Sequence, residues 1–360
     1  MNVKKNLVLF FLEEKMKALI KDFIQHPEKK EKFDEVALEL FDYLYHHNLA
    51  YQKFCQRRGI GVRQVRTWKD IPAVSTDAFK TNFLSATPKE DCSRIFMTSG
   101  TTTGISGKHY HKDVEIYDLS AKTGFRQFVT SEKLPMAILF PDEQEMPNSS
   151  LAHYLEILRK DGQEDSKHFI TEKGLEIEAF KEWLGRHKDH PVIILGASYS
   201  FVHLFEGLQE GESLPIHPDS LLFDTGGFKN FSKAYSLEDF YQKLLTIFPV
   251  QTAPINMYGM TELSTEYYTH VEKGKVQIKK GPHWIRFKVI DPLNGEEVQS
   301  GQVGILVHVD LANVNSVPAI QTGDLAIDRG DGFELIGRQK GAGAKGCSLS
   351  AKEWLEDHHE

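Results

Sequence analysis

Thr98-Ser99-Gly100-Thr101-Thr102-Thr103-Gly104-Ile105-Ser106-Gly107-Lys108 concentrates hydroxyls, glycines and one cation in eleven residues, directly after an apolar strand that begins near Ile95. Such a loop suits phosphate. Backbone N–H groups freed by glycine, together with Ser and Thr hydroxyls, surround phosphoryl oxygens, and a lysine supplies a point charge. It is not a Walker A loop, since G-x-x-x-x-G-K-[ST] would need glycine at Thr102 and Ser or Thr at His109. The competing reading of the same composition is a polar surface turn.

Outward from this loop the texture is that of βα units. The apolar runs Met136 to Phe140, Val192 to Leu195 and Leu221 to Phe223 end at turn residues and are followed by helical patterns. They predict an α/β sheet with ligand loops at the carboxyl ends of its strands. Beyond His270 the runs Trp284 to Ile290 and Val303 to Val309, joined through Asn294-Gly295 and Ser300-Gly301, predict a β-rich subdomain. On the amino-terminal side, Leu12, Met16, Leu19, Ile20 and Phe23, then Phe33, Val36, Ala37, Leu40, Phe41 and Leu44, predict two amphipathic helices that pack through these residues.

Composition narrows the partners. The chain of 360 residues, 40% hydrophobic, is long enough for a large core. A formal net charge of −8 gives no basic field for nucleic acid or anionic lipid. Three cysteines, Cys55, Cys92 and Cys347, are too few for a disulfide framework and point to free thiols in a reducing cytoplasm. The apolar run Leu7 to Leu12 stops at Glu13-Glu14 without a cleavage site, so no secretion signal is expected, and no apolar stretch reaches the ~20 residues of a membrane span.

Three further segments fit one nucleotide. Tyr258-Gly259-Met260-Thr261-Glu262 offers an aromatic face for a base, with a hydroxyl and a carboxylate suited to Mg²⁺. Thr322-Gly323-Asp324 offers a carboxylate at a turn, able to accept from ribose hydroxyls, and Gly337-Arg338 adds a cation. Singly each is weak, because an exposed acid is usually only solvated; their joint order carries the weight.

That order resembles the adenylate-forming (ANL) superfamily of acyl-CoA synthetases, luciferases and nonribosomal adenylation domains. More narrowly, Leu38-Glu39-Leu40-Phe41-Asp42-Tyr43, Trp68-Lys69-Asp70-Ile71-Pro72-Ala73-Val74 and Asp224-Thr225-Gly226-Gly227 resemble the LuxE-type acyl-protein synthetases over nearly the whole chain. The resemblance implies ATP and Mg²⁺ as cofactors and activation of a carboxylic acid, long-chain fatty in this family, as acyl-AMP. It implies that Thr98, Ser99, Gly100, Thr101, Thr102, Thr103, Gly104 and Lys108 hold the phosphates, and that Glu262 with Thr102 holds the metal. Tyr258, Gly259, Thr261, Gly226 and Gly227 then line the nucleotide, with Asp324 and Arg338 at the ribose. Charge building at phosphorus under carboxylate attack is what loop donors and a metal stabilise.

The resemblance divides the chain into an adenylate-forming domain over 1–337, with 270–337 as the β-rich subdomain, and a hinge and tail over 338–360. Only 22 residues follow Arg338, so the superfamily's C-terminal domain, with its late lysine, is expected to be truncated, as in the LuxE-type family. Members of that family pass the acyl group to a cysteine near their own C-terminus, which Cys347 matches, and then to a partner such as an acyl reductase. Four glycines among the ten residues Gly337 to Gly346 predict a tail that swings.

Several segments imitate other chemistry. Gly341-Ala342-Gly343-Ala344-Lys345-Gly346 matches G-x-G-x-x-G without the helix, strand and later acid of a dinucleotide fold. Gly196-Ala197-Ser198-Tyr199-Ser200 imitates a nucleophile elbow, so an α/β-hydrolase using Ser198 is the rival enzyme, and the segment is otherwise expected to line the acyl pocket. His109 and His111 share one strand face, as metal ligands or, the reading preferred here, as a partly buried strand face. Cys55 and Cys92 read as buried small hydrophobes. A nucleotide- or acyl-binding pseudoenzyme is the alternative outside catalysis.

Overall fold

A computed structural model describes residues 2–98, 105–226 and 235–339, with side chains from residue 11 onward. The chain forms two compact units. The first takes in Met1–Gly124, Met260–Thr265 and the chain from Lys280 onward; the second takes in Phe125–Gly259 and Glu266–Lys279.

In the second unit the expected βα texture becomes a sheet. Five strands lie in the order Lys167–His168, Met136–Leu139, Ile193–Ala197, Leu221–Thr225 and Ile255–Tyr258, all parallel, and Tyr267–His270 closes the edge antiparallel to the last of them. Helices Ile177–Arg186, Ser198–Gly207 and Leu237–Ile247 pack on it through Phe180, Trp183, Phe201, Leu204, Phe240 and Leu244. The central strands Met136–Leu139 and Ile193–Ala197 are apolar and buried along their whole length, as parallel strands between layers must be. Consequently the carboxyl ends of three neighbouring strands bring Ser198, Gly226 and Tyr258 to one edge of this sheet.

The first unit carries the β-rich part. Strands Ile285–Ile290, Val303–Asp310, Ala319–Asp328 and Phe333–Arg338 form an antiparallel meander, and Val74–Ser75 adds parallel to Ala319–Asp328. Ile290, Ile305, Val307 and Leu325 make its inner cluster. The expected turns at Asn294-Gly295 and Ser300-Gly301 are there, both glycines at positive φ of 76° and 88°.

The amino-terminal helices are Asn2–Gln25 and Phe33–His47. The second buries the expected residues from Phe33 to Leu44. The first departs from expectation at Leu12, which is 41% exposed, while Glu13 and Lys17 are buried beside Met16 and Ile20. The reason is electrostatic: Lys17 binds Asp113, and Glu13 accepts from Lys112 at 2.7 Å, so a charged pair occupies the inward stripe of the helix.

Candidate active site

The flanks of the loop expected at the phosphates form a hairpin, Arg94–Met97 pairing antiparallel with Lys108–His111, Met97 opposite Lys108. Thr98 N–H donates to the Gly107 carbonyl at 3.0 Å, and Gly107 N–H donates to Thr98 Oγ1 at 2.8 Å. Thr98, expected at the phosphates, thus accepts a bond that closes the neck of the loop. A Cβ at Gly107 would meet Thr98 Cγ2 at 3.4 Å and Phe79 Cβ at 3.5 Å, ordinary contact distances, so space alone does not require glycine at this position. Lys108 stands exposed at the same neck. Ser99, Gly100, Thr101, Thr102, Thr103 and Gly104 lie outside the described residues.

Beside this hairpin in the same unit, the strand after the loop reaches the Glu262 peptide. His109 is buried, and its Nδ1 lies 2.9 Å from the Thr261 carbonyl. A carbonyl only accepts, so Nδ1 carries the proton. Burial holds the ring neutral down to about pH 4. His109 and His111 do share a face, their rings 4.1 Å apart, and both are buried, as the preferred reading expected. Among the described residues no group of three or more His, Cys, Asp or Glu could hold a metal ion.

Glu262 is 5% exposed, and burial raises its carboxyl to about 7, with Arg338 pulling the value down and Asp324 pushing it up. Its carbonyl accepts from Asn313 Nδ2 at 3.0 Å. One buried carboxylate fits Mg²⁺ in the form in which that ion binds nucleotides, through one or two carboxylates with the phosphates and waters completing the octahedron. It does not fit an all-protein cage.

Asp324 and Arg338 are brought together directly. They are register partners, and Arg338 Nε donates to Asp324 Oδ1 at 2.7 Å. Here the sequence expectation of a turn is corrected: Thr322-Gly323-Asp324 lies within the ten-residue strand Ala319–Asp328. Both neighbouring ladders change register around it, and Thr322 Oγ1 accepts from Asp324 N–H at 3.0 Å while donating to the Leu306 carbonyl at 2.8 Å. The glycine signals a bulge in a strand, which re-aims the aspartate without ending the ladder.

In the second unit, Gly226 follows its strand at φ 103°, a conformation glycine adopts without strain. Tyr258 ends its strand half-buried, its ring 6.1 Å from that of Tyr267, and Gly259 is exposed after it. Gly227 lies outside the described residues. Behind these positions is a buried network. Asp224 Oδ2 accepts from Ser198 Oγ at 2.7 Å and Asn256 Nδ2 at 2.8 Å, and its Oδ1 accepts from Tyr241 Oη at 2.8 Å. Burial raises the Asp224 carboxyl against these bonds. Lys279 donates to Asn256 Oδ1 and, at 3.3 Å, to its carbonyl; burial lowers its ammonium to about 8. The Ser198 hydroxyl donates to a carboxylate and to the Thr225 carbonyl at 3.1 Å, and among the described residues no imidazole is one of its hydrogen-bond partners. That arrangement fastens two strand ends and does not activate a nucleophile.

Cys55 is buried as expected, its thiol pushed up to about 11 by burial. Cys92 corrects the expectation: it is half-buried, its Sγ 3.4 Å from the Pro88 carbonyl, because it closes a surface 3₁₀ turn. Cys347 lies outside the described residues. Sequence reasoning missed Asp310, Asn313 and Lys279. No local pattern marks them, since their roles arise from pairing with distant chain.

The fold is that of the adenylate-forming ligases. An open conformation of 2-hydroxyisobutyryl-CoA ligase, in complex with 2-HIB-AMP and CoA, superposes with a TM-score of 0.60 at 16% identity, covering 86% of this chain and 70% of that one. ATP-bound MatB from Rhodopseudomonas palustris superposes with a TM-score of 0.50 at 16% identity, covering 70% of this chain and 49% of that one. The family model of the acyl-protein synthetase LuxE matches residues 21–356, and the chain belongs to that family. Its relatives include the long-chain-fatty-acid–luciferin-component ligase of Vibrio harveyi, 24% identical over an alignment of 345 residues that covers 91% of this chain and 89% of that protein. The ligase of the same name from Aliivibrio fischeri is 23% identical over 90% of this chain and 88% of its own. The chain is accordingly an enzyme of the ligase class.

Proposed function

We propose that this enzyme uses ATP and Mg²⁺ to activate a long-chain fatty acid as acyl-AMP, passes the acyl group to Cys347, and delivers it to a partner such as an acyl reductase. Beyond family membership, the observation that carries this reading is the convergence of Glu262, Asp324 and Arg338, far apart in sequence, within electrostatic reach of one another.

In this reading Lys108 and the loop from Thr98 to Gly104 bind the phosphates, Thr102 and Glu262 take the Mg²⁺, and Asp324 with Arg338 takes the ribose. Tyr258, Gly259, Gly226 and Gly227 receive the adenine, and Thr261 lies beside the metal carboxylate. Mg²⁺ supplies neutralising charge at the phosphates. A carboxylate oxygen of the fatty acid attacks the α-phosphorus, and pyrophosphate leaves with the electron pair of the broken P–O bond. The Cys347 thiolate then attacks the acyl carbon; a C–S bond forms, the C–O bond to AMP breaks, and AMP departs. Arg338, Lys340 and Lys345, within nine residues of the thiol, favour the thiolate. A cytoplasmic setting belongs to the reading, because a thiol that carries an acyl group must stay reduced.

The test is pyrophosphate–ATP exchange driven by long-chain fatty acid. Exchange that requires both acid and Mg²⁺ supports adenylation. ATP binding without exchange at any chain length would leave a nucleotide-binding pseudoenzyme instead.

A further inference from the structure

Met260–Thr265, the peptide that carries Glu262, forms neither strand nor helix. Within it runs a single backbone bond, Leu263 N–H to the Met260 carbonyl at 3.1 Å. What fixes it comes from elsewhere in the first unit. Asn313 Nδ2 donates to the carbonyl of Glu262 itself at 3.0 Å, and Asn313 Oδ1 accepts from Ser264 Oγ at 2.7 Å. Asp310, the last residue of its strand, accepts from Ser264 N–H at 2.9 Å and from Thr265 Oγ1 at 2.7 Å. Asp310 also accepts from Ala312 N–H at 2.9 Å, so the same carboxylate shapes the turn that presents Asn313. Both side chains are buried, at 0% and 1% exposure.

We infer that Asn313, braced by Asp310, is a positioning residue that sets where the Glu262 carboxylate stands. The inference rests on the reading of Glu262 as the metal carboxylate. An irregular peptide has no ladder to define its side-chain directions, so holding its carbonyls is what defines them. Asn313 grips the carbonyl of Glu262 on one side and the Ser264 side chain on the other, spanning the residue whose direction matters. Buried bonds of this kind resist displacement because their loss strands a donor or acceptor away from water. Outer partners that orient a metal ligand are worth roughly 10- to 100-fold in metal affinity.

The experiment titrates Mn²⁺ into the full-length protein saturated with a non-hydrolysable ATP analogue, following bound metal by electron paramagnetic resonance. It compares wild type with Asn313→Ala, Ser264→Ala and Glu262→Gln, and measures binding of the same analogue in EDTA alongside. Asn313→Ala is expected to weaken Mn²⁺ binding about tenfold or more, Ser264→Ala by a smaller factor, and Glu262→Gln at least as much as Asn313→Ala. Analogue binding in EDTA stays unchanged in Asn313→Ala and Ser264→Ala. Wild-type Mn²⁺ affinity in Asn313→Ala beside a loss in Glu262→Gln overturns the positioning role and leaves Glu262 as the metal carboxylate. Wild-type affinity in Glu262→Gln overturns that reading and the positioning role with it. If Asn313→Ala lacks a cooperative unfolding transition, Ser264→Ala decides, and wild-type Mn²⁺ affinity there counts against the proposal.

Discussion

Asp324 and Arg338 face each other across the last strand pair, Nε to Oδ1 at 2.7 Å, with the aspartate side chain 6% exposed and the arginine 69% exposed. The pair is one-sided: the carboxylate is fixed in the protein while the guanidinium reaches into solvent. An ion pair so exposed on one side contributes at most about 1 kcal/mol to stability. Arg338→Ala is therefore expected to leave the unfolding midpoint nearly unchanged and to raise the KM for ATP. Asp324→Ala, which also empties a buried position, is expected to raise that KM by about tenfold or more, the scale of a lost charge-assisted bond. Calorimetric titration with ATP checks both, and unaltered affinity in Asp324→Ala would move the ribose elsewhere.

Asp224 accepts three buried hydrogen bonds, from Ser198, Tyr241 and Asn256. Asp224→Ala strands those donors together and is expected to cost about 3 kcal/mol or more in urea unfolding. Ser198→Ala removes one donor and is expected to cost about 1 kcal/mol while pyrophosphate exchange and acyl transfer persist. Acyl transfer abolished in Ser198→Ala with stability intact would restore the serine-nucleophile reading.

His308 is fully buried, and burial lowers its imidazole to about 3. The unfolded chain takes up this proton near pH 6.5, while the folded chain refuses it until near 3. Stability is therefore lost as pH falls through that window, by up to about 1.4 kcal/mol per pH unit for this one group. His308→Leu is expected to flatten the acid limb between pH 6 and pH 4 without changing its position above pH 7. Urea midpoints at pH 7, 6, 5 and 4 make the comparison; parallel limbs in the two proteins would show that the ring is protonated within the fold.

Cys347 is expected to take label from radioactive long-chain fatty acid in the presence of ATP. The label should survive denaturation, be released by neutral hydroxylamine, and vanish in Cys347→Ser while pyrophosphate exchange continues. Label that persists in Cys347→Ser would shift the acceptor to Cys92, Cys55 or Ser198.

Protease nicking between Gly341 and Gly346 tests the expected swing of the tail after Arg338. ATP with fatty acid should slow it, and complete protection without ligand would argue for a fixed tail.

The sequence by itself determined what depends on neighbours in the chain. Short apolar runs ending in turn residues marked the parallel strands at Met136–Leu139, Ile193–Ala197 and Leu221–Thr225, because period and punctuation are local properties. The helix from Phe33 to His47 was legible for the same reason; of the glycine–hydroxyl stretch, residues 99–104 lie outside the described residues. Thr322-Gly323-Asp324 was found as a motif but mistaken for a turn, since glycine signals a turn and a bulge alike until the partner strands are known. Leu12 read as core, and only the ion pairs to Lys112 and Asp113 showed why Glu13 and Lys17 took the inner face. Tertiary structure alone decided that Asn313 grips the Glu262 carbonyl, that His109 holds Thr261, and that Ser198 serves a buried carboxylate. These residues sit 51, 152 and 26 positions from their partners, and no local preference encodes a hydrogen bond that exists only once distant strands have paired and water has been excluded.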